Sequence, residues 1–205
     1  MKSLNIDVSK NIHMYINRNN ELKVVSLFRY NYKARFYLRE ISNLSKLPLK
    51  TCQNILAKLE EIKVLKSKIE GKNKYFSLNL ENIRTKSYLQ LAEIYQTDLF
   101  IEKYPQFKIF LKELETTATI IVFGSFANFT ADKYSDLDLL VISNKELKLP
   151  FHLLPFSHHQ IKMTERTFLK AVEQQENLIK EIENNHIILN NHSFYINVMW
   201  SYYGR

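Results

Sequence analysis

Two short apolar runs, set a fixed interval apart, constrain this 205-residue chain more than any other feature. Ala118-Thr119-Ile120-Ile121-Val122-Phe123 is β-rich and ends at Gly124-Ser125, while Leu137-Asp138-Leu139-Leu140-Val141-Ile142 begins directly after Ser135-Asp136. Both read as strands. Between them, Phe126 to Asp136 leaves room for one helical turn and a loop. Side chains at i and i+2 of a strand share a face, so Asp136 and Asp138 can reach one cation together. Paired carboxylates on a rigid strand suit Mg²⁺, which prefers oxygen ligands and takes substrate phosphates as further ones. Gly124 lets a phosphate come close to the backbone, and Ser125 adds a hydroxyl donor. The plainer alternative leaves both aspartates solvating a strand end, where adjacent like charges are costly unless a cation or hydrogen bonds compensate.

Charge divides the chain. Residues 1–80 hold 16 Lys and Arg against 6 Asp and Glu, whereas residues 81–205 hold 13 against 15. A concentrated positive field attracts polyanions and releases their counterions, so the first part is expected to face nucleic acid. One cysteine, Cys52, excludes an intrachain disulfide, and no signal-like stretch is present. A cytoplasmic protein is expected. No apolar run approaches the roughly 20 residues needed to cross a bilayer, which argues against a membrane role.

With only three glycines and four prolines, the chain should be mostly regular structure joined by short connections. Leu22, Val25, Leu27 and Phe28 suggest a first helix reaching Tyr30, and Leu38, Ile41 and Leu44 a second. Pro48 suits the start of a third, running to about Ile62 with Cys52, Ile55, Leu56 and Leu59 inward. Val64–Ile69 and Lys74–Leu78 are strand-like and flank a turn in which Gly71 supplies the backbone freedom. This order of elements resembles a winged helix-turn-helix domain, of the kind found in small prokaryotic transcription regulators, over roughly residues 21–80. The resemblance implies a third helix lying in the DNA major groove, with Lys50, Thr51, Gln53, Asn54 and Lys58 facing base edges and phosphates. Gln53 and Asn54 carry amides that can read adenine, whereas Lys50 and Lys58 suit phosphates. Lys66, Lys68, Lys72 and Lys74 on the wing would follow the backbone or minor groove. The alternative is an ordinary polar surface, or a winged helix that mediates protein contacts.

Residues 82–118 read as two helices separated by Pro105. Tyr88, Leu91, Ala92 and Tyr95 form one stripe, and Phe107, Phe110, Leu111 and Leu114 the other. Gly124-Ser125-Phe126-Ala127, followed by Ser135-Asp136-Leu137-Asp138-Leu139-Leu140-Val141, resembles the core motif of the DNA polymerase β-like nucleotidyltransferase superfamily, particularly its minimal, MNT-type members. That resemblance covers roughly residues 100–200. It implies a small mixed sheet, a nucleoside triphosphate held by the Gly124-Ser125 turn with Asn128 and Ser135 nearby, and divalent ions held by Asp136 and Asp138. The ions would align the α-phosphate and stabilise its charge as pyrophosphate leaves.

The sequence departs from the family pattern twice. Where the family usually has Arg-Gly after the Gly-Ser-x-Ala segment, Asn128 and Phe129 stand here. A third carboxylate is expected on a later strand, yet His158–Met163 contains none, and His159 occupies the expected place as a metal ligand, a base or a residue of a lapsed site. Thr164 should cap the next helix, a single amphipathic one through Phe168, Leu169, Val172, Ile179 and Ile182. Trp200 reads as a core anchor, with base stacking as its alternative.

The expected architecture is α+β: an N-terminal winged helix of three helices and a β-hairpin over residues 1–80, a helical linker over 81–104, and a minimal nucleotidyltransferase α/β domain with a small mixed sheet over 105–205. The leading expectation is a Mg²⁺-dependent transferase that moves a nucleoside monophosphate from an NTP to an acceptor, with catalytic residues Asp136, Asp138 and His159. The other is a DNA-binding transcription regulator, antitoxin-like in one version, whose degenerate transferase domain senses a ligand. Expected partners are double-stranded DNA, a second copy of the chain and, on the antitoxin reading, a toxin-like protein.

Overall fold

The structure, a computed structural model, describes residues 19–204; the first eighteen residues of the N-terminal unit and Arg205 lie outside the described residues. Residues 19–25 form helix α1, which tightens into a 3₁₀ turn over Ser26–Phe28 instead of continuing to Tyr30. There the Ser26 hydroxyl donates to the Leu22 carbonyl at 2.7 Å. Strand β1 (Phe36–Tyr37) leads into α2 (Leu38–Ser45) and α3 (Leu49–Glu61), which starts after Pro48 and buries Cys52, Ile55, Leu56 and Leu59, as the spacing predicts. Strands β2 (Leu65–Glu70) and β3 (Asn73–Leu78) make a hairpin whose turn places Gly71 at a φ of 59°, where a β-carbon is disfavoured. β1 adds to the outer edge of β3, a two-residue pairing too short to leave a sequence signal.

Helix α4 (Ile83–Lys103) does not bury the predicted stripe. Of Tyr88, Leu91, Ala92 and Tyr95 only Ala92 is fully buried; Thr85, Leu89, Glu93, Thr97 and Phe100 join it. The cause is polar satisfaction. Thr85 donates to the Val64 carbonyl at 3.1 Å and Thr97 to the Ile188 carbonyl at 2.7 Å, so hydroxyls occupy positions that hydropathy assigns to the surface.

After α5 (Phe107–Lys112) come β4 (Thr119–Phe123), α6 (Gly124–Ala127), β5 (Leu137–Ile142), β6 (His158–Met163), α7 (Glu165–Gln174), α8 (Asn177–Asn184), β7 (Ile187–Asn190) and α9 (His192–Tyr203). The four strands form the expected small mixed sheet, ordered β6-β5-β4-β7, with β5 and β6 parallel and the other neighbours antiparallel. The single helix predicted from Phe168 to Ile182 is two. Gln175 takes a φ of 51°, its N–H reaches the Val172 carbonyl and the Glu176 N–H the Ala171 carbonyl, a Schellman-type stop; Leu169, expected on the inward stripe, is exposed.

Both sheet faces are covered, which is why β4 and β5 read as largely apolar runs, interrupted on β5 by Asp138. Ile121, Leu140, Ile142 and Ile188 share one core with Phe28, Ile41 and Leu56 of the N-terminal helices and with Phe168 and Tyr195. Ile120, Val122, Leu137, Leu139 and Ile187 pack on the other side against Phe100, Phe107 and Phe126. Helix α4 therefore contributes to both cores, through Leu89 and Ala92 to the first and Phe100 to the second. Among the described residues no helix is long and apolar enough to cross a membrane.

A buried ionic cluster ties the segments together. Arg29 donates through Nε and Nη2 to Glu93 Oε2 at 3.0 and 2.8 Å, and through Nη2 also to the His186 carbonyl. His186 faces Glu93 Oε1 with Nε2 at 3.2 Å and the Ile182 carbonyl with Nδ1 at 2.6 Å. Both ring nitrogens thus have an oxygen partner, so the buried imidazole is fixed in place from both sides. All three side chains are fully buried. Burial alone would raise the Glu93 carboxyl, but the charges of Arg29 and His186 outweigh it and hold the group at about 2, against an ordinary 4.5.

Removing the shared carboxylate leaves the buried Arg29 guanidinium uncompensated, so Glu93→Ala should cost roughly 3–5 kcal/mol in denaturant unfolding. Because the folded pKa lies below the unfolded one, the carboxylate's contribution is complete above pH 4.5 and fades as pH falls toward about 2. The stability gap between the wild type and Glu93→Gln should narrow across that window; a gap independent of pH would contradict the assignment.

Candidate functional site

The register of the four-stranded sheet assembles the site. Phe123, the last residue of β4, pairs with Asp138 on β5, and Asp138 pairs with His159 on β6. The β4 end, the aspartate and the histidine therefore lie side by side, and the chain turns at Gly124 immediately beside them. Phe126 and Ala127 are buried and anchor α6, with Phe126 packed 4.8 Å from Phe156 and 5.1 Å from Tyr104, while Gly124 and Ser125 stay half-exposed. The Ser125 carbonyl accepts from the Thr130 N–H at 3.0 Å and so folds the following loop back on the turn.

Gly124 is required here for two reasons. Its φ is 69°, a region L side chains avoid, and a β-carbon would lie 2.6 Å from Asp138 Oδ2. The carboxylate thus fills the space that any other residue at 124 would take. Partial burial raises the Asp138 carboxyl above its ordinary range; His159 acts to lower it, and Asp136 to raise it further. His159 Nδ1 stands 3.7 Å from Asp138 Oδ1, too far for a hydrogen bond, with its side chain 67% exposed. Asp136 accepts a hydrogen bond from the Ser157 hydroxyl, and the Ser157 carbonyl accepts from the Leu137 N–H at 2.9 Å.

The structure thus brings Gly124, Asp136, Asp138 and His159 together, with Ser125 at the same turn. Asn128 caps α6 with an exposed side chain, its N–H directed to the Gly124 carbonyl at 3.1 Å. Ser135 is committed to a turn: its Oγ donates to Asp132 Oδ1 at 3.0 Å and accepts from the Asp132 N–H at 2.9 Å. Sequence reasoning missed Ser157, whose only signal is its place directly before β6. Among the described residues no group of three or more His, Cys, Asp or Glu side chains is gathered closely enough to hold a metal ion.

Residues 105–190 match the family model of the nucleotidyltransferase domain. The match begins at Pro105 and ends on the last residue of β7, taking in the whole four-stranded sheet. No curated protein and no solved structure matches the chain. Within the matched stretch the Gly124 turn and the Asp138 strand are adjacent and antiparallel, so the motif seen in sequence is one contiguous feature in space.

The residues expected to face nucleic acid lie on α3 and on the hairpin with its turn. Lys50, Gln53, Asn54 and Lys58 are exposed on α3 and Thr51 is half-buried; Lys66, Lys68, Lys72 and Lys74 are exposed on the hairpin and its turn. Several are already paired: Lys58 with Glu21, Lys68 with Glu70 at 3.2 Å, Lys74 with Glu60 at 2.7 Å and Lys66 with Glu81 at 3.8 Å. Between α3 and the hairpin runs a groove of about 820 Å³ floored by Leu56 and Phe76 and rimmed by Arg39, Gln53, Lys72 and Lys74.

The two positive-φ glycines permit a controlled comparison. A β-carbon at Gly71 would meet nothing within 4 Å, whereas one at Gly124 meets Asp138. Each Gly→Ala change should cost roughly 1–2 kcal/mol for the left-handed backbone, measurable by thermal denaturation. Only Gly124→Ala should also displace the Asp138 carboxylate and weaken metal-dependent nucleotide binding; equal binding by the two variants would contradict the contact's role.

Proposed function

We propose that the chain is a divalent-metal-dependent nucleotidyltransferase, moving a nucleoside monophosphate from an NTP to an acceptor presented to it as nucleic acid or protein. The reading rests on one observation above the others: within the matched domain, the Gly124 turn is shaped so that Asp138 lies against it. A triphosphate approaching the Gly124-Ser125 backbone would therefore arrive beside a carboxylate, an arrangement that is repulsive without a cation and favourable with one.

The donor set fits Mg²⁺. Asp136 and Asp138 would hold the ion, and two carboxylates suit a cation that keeps water and substrate phosphates as its remaining ligands. When bound, it supplies charge stabilisation at the α-phosphate. The chain's own part is to orient: Ser157 holds Asp136, Gly124 admits the phosphates, Ser125 donates to them, and His159 stands beside Asp138 where it can take a proton from the attacking hydroxyl. With a histidine in place of a further carboxylate, binding should survive better than turnover, since general-base assistance is typically worth about 10²–10⁴-fold.

Incorporation of α-labelled nucleotides into DNA, RNA and protein acceptors tests this. Transfer should be slow, lost in Asp136→Ala and faster in His159→Asp. Brisk transfer unaffected by His159→Ala would contradict the role given to that residue.

A second reading is favoured by the exposed basic face of α3 and the hairpin: a winged helix that binds duplex DNA, as the acceptor or as an operator for a regulator whose transferase domain senses nucleotide. Such a face acts most naturally as a pair on repeated half-sites, in a homodimer. Full-length protein should bind duplex DNA with affinity that falls steeply as salt rises. Neutralising Lys68, Lys72 and Lys74 together should weaken binding on all sequences alike; unchanged binding would remove the hairpin from the interface.

A further inference from the structure

The loop from Asn128 to Asp136 is held more firmly than its exposure suggests. Phe129 has a φ of 60°, unfavourable for a bulky residue, yet its ring stacks on Tyr104 at 6.4 Å and meets Phe100 at 6.3 Å, which offsets the backbone cost. At the loop's far end, Asp132 Oδ1 accepts from the Tyr134 N–H at 2.9 Å and from the Ser135 hydroxyl at 3.0 Å. These bonds close an Asx-type turn. Its product is an unusual display: Tyr134 is 80% exposed, and Lys133 Nζ sits 4.7 Å from its ring centroid. One ring face carries a cation, and most of the residue is open to solvent.

Two residues along lies Asp136, so the two Cα atoms are at most about 7 Å apart. A ligand held at Asp136 would therefore lie close to the residue that presents the ring. Resting on the nucleotidyltransferase reading above, we propose that Tyr134 is the nucleobase platform of the site. Its ring stacks on the base of a nucleoside triphosphate whose phosphates lie at Gly124-Ser125, while Lys133 brings the positive charge that the polar but neutral Asn128 does not. Base–aromatic stacking tolerates every base, so this contact favours a nucleotide over a bare polyphosphate without choosing among bases.

Calorimetric titration of the full chain, in Mg²⁺, with a non-hydrolysable ATP analogue and separately with inorganic tripolyphosphate tests the proposal. Tyr134→Ala should weaken binding of the analogue roughly tenfold or more, the range that loss of one stacked base gives, and leave tripolyphosphate unchanged. Tyr134→Phe and Tyr134→Trp should retain the wild-type preference. Because Tyr134 is a surface residue, melting temperatures should stay equal. If Tyr134→Ala binds the analogue as the wild type does, or loses both ligands equally, the platform assignment fails while the transferase reading stands. If the wild type binds neither ligand, both fall.

Discussion

Glu93 is the carboxylate on which the two ends of the chain depend. It lies mid-way along α4, receives Arg29 from the segment after α1 and His186 from the segment before β7, and is shut off from water. A buried ion pair of this kind adds little net stability over a well-packed apolar alternative, but it strongly penalises arrangements that leave one partner alone. Its consequence is positional. It sets the N-terminal helices, α4 and the β7 edge of the sheet in one relation, and the first hydrophobic core, which contains Phe28, Ile41 and Leu56 together with Ile188 and Tyr195, closes around that relation.

On that frame the site follows from register. The antiparallel β4–β5 pairing puts Phe123 opposite Asp138, and the parallel β5–β6 pairing puts His159 beside it. A slip of one residue in either pairing would turn Asp138 from the rim into a core. The apolar neighbours Leu137 and Leu139, both fully buried on the opposite face, oppose such a slip. Packing thus fixes the carboxylate, Gly124 makes space for it, and Ser157 steadies its partner Asp136.

What the sequence revealed and what it concealed divide along physical lines. Strands β4 and β5 were legible because both faces of the sheet are buried, and α3 because its inward residues keep helical spacing. The start of α7 was legible because Thr164 accepts from the Thr167 N–H, as a cap should. Where polar groups go inward, periodicity failed. Arg29 and Glu93 are 64 positions apart and Glu93 and His186 are 93 apart, and each reads alone as a surface residue. The stripe on α4 was misplaced for that reason. Strand β1 was too short to register, and the α7–α8 break rests on one left-handed Gln175 that no glycine or proline announces. At the site, the motif marked Gly124, Asp136 and Asp138, but neither Ser157 nor the display of Tyr134 carries a spacing signal, since both depend on how a loop folds back.

The central claim is that Asp136 and Asp138 hold one divalent ion together with the phosphates of a nucleotide. Electron paramagnetic resonance of Mn²⁺ titrated into the full-length protein, with and without a non-hydrolysable nucleoside triphosphate, addresses it directly. The account predicts weak Mn²⁺ binding by the protein alone, tighter binding of Mn²⁺ with nucleotide present than either the protein or the nucleotide achieves separately, and loss of that gain in Asp138→Asn. Identical Mn²⁺ spectra for the wild type and Asp138→Asn in the presence of nucleotide would contradict it.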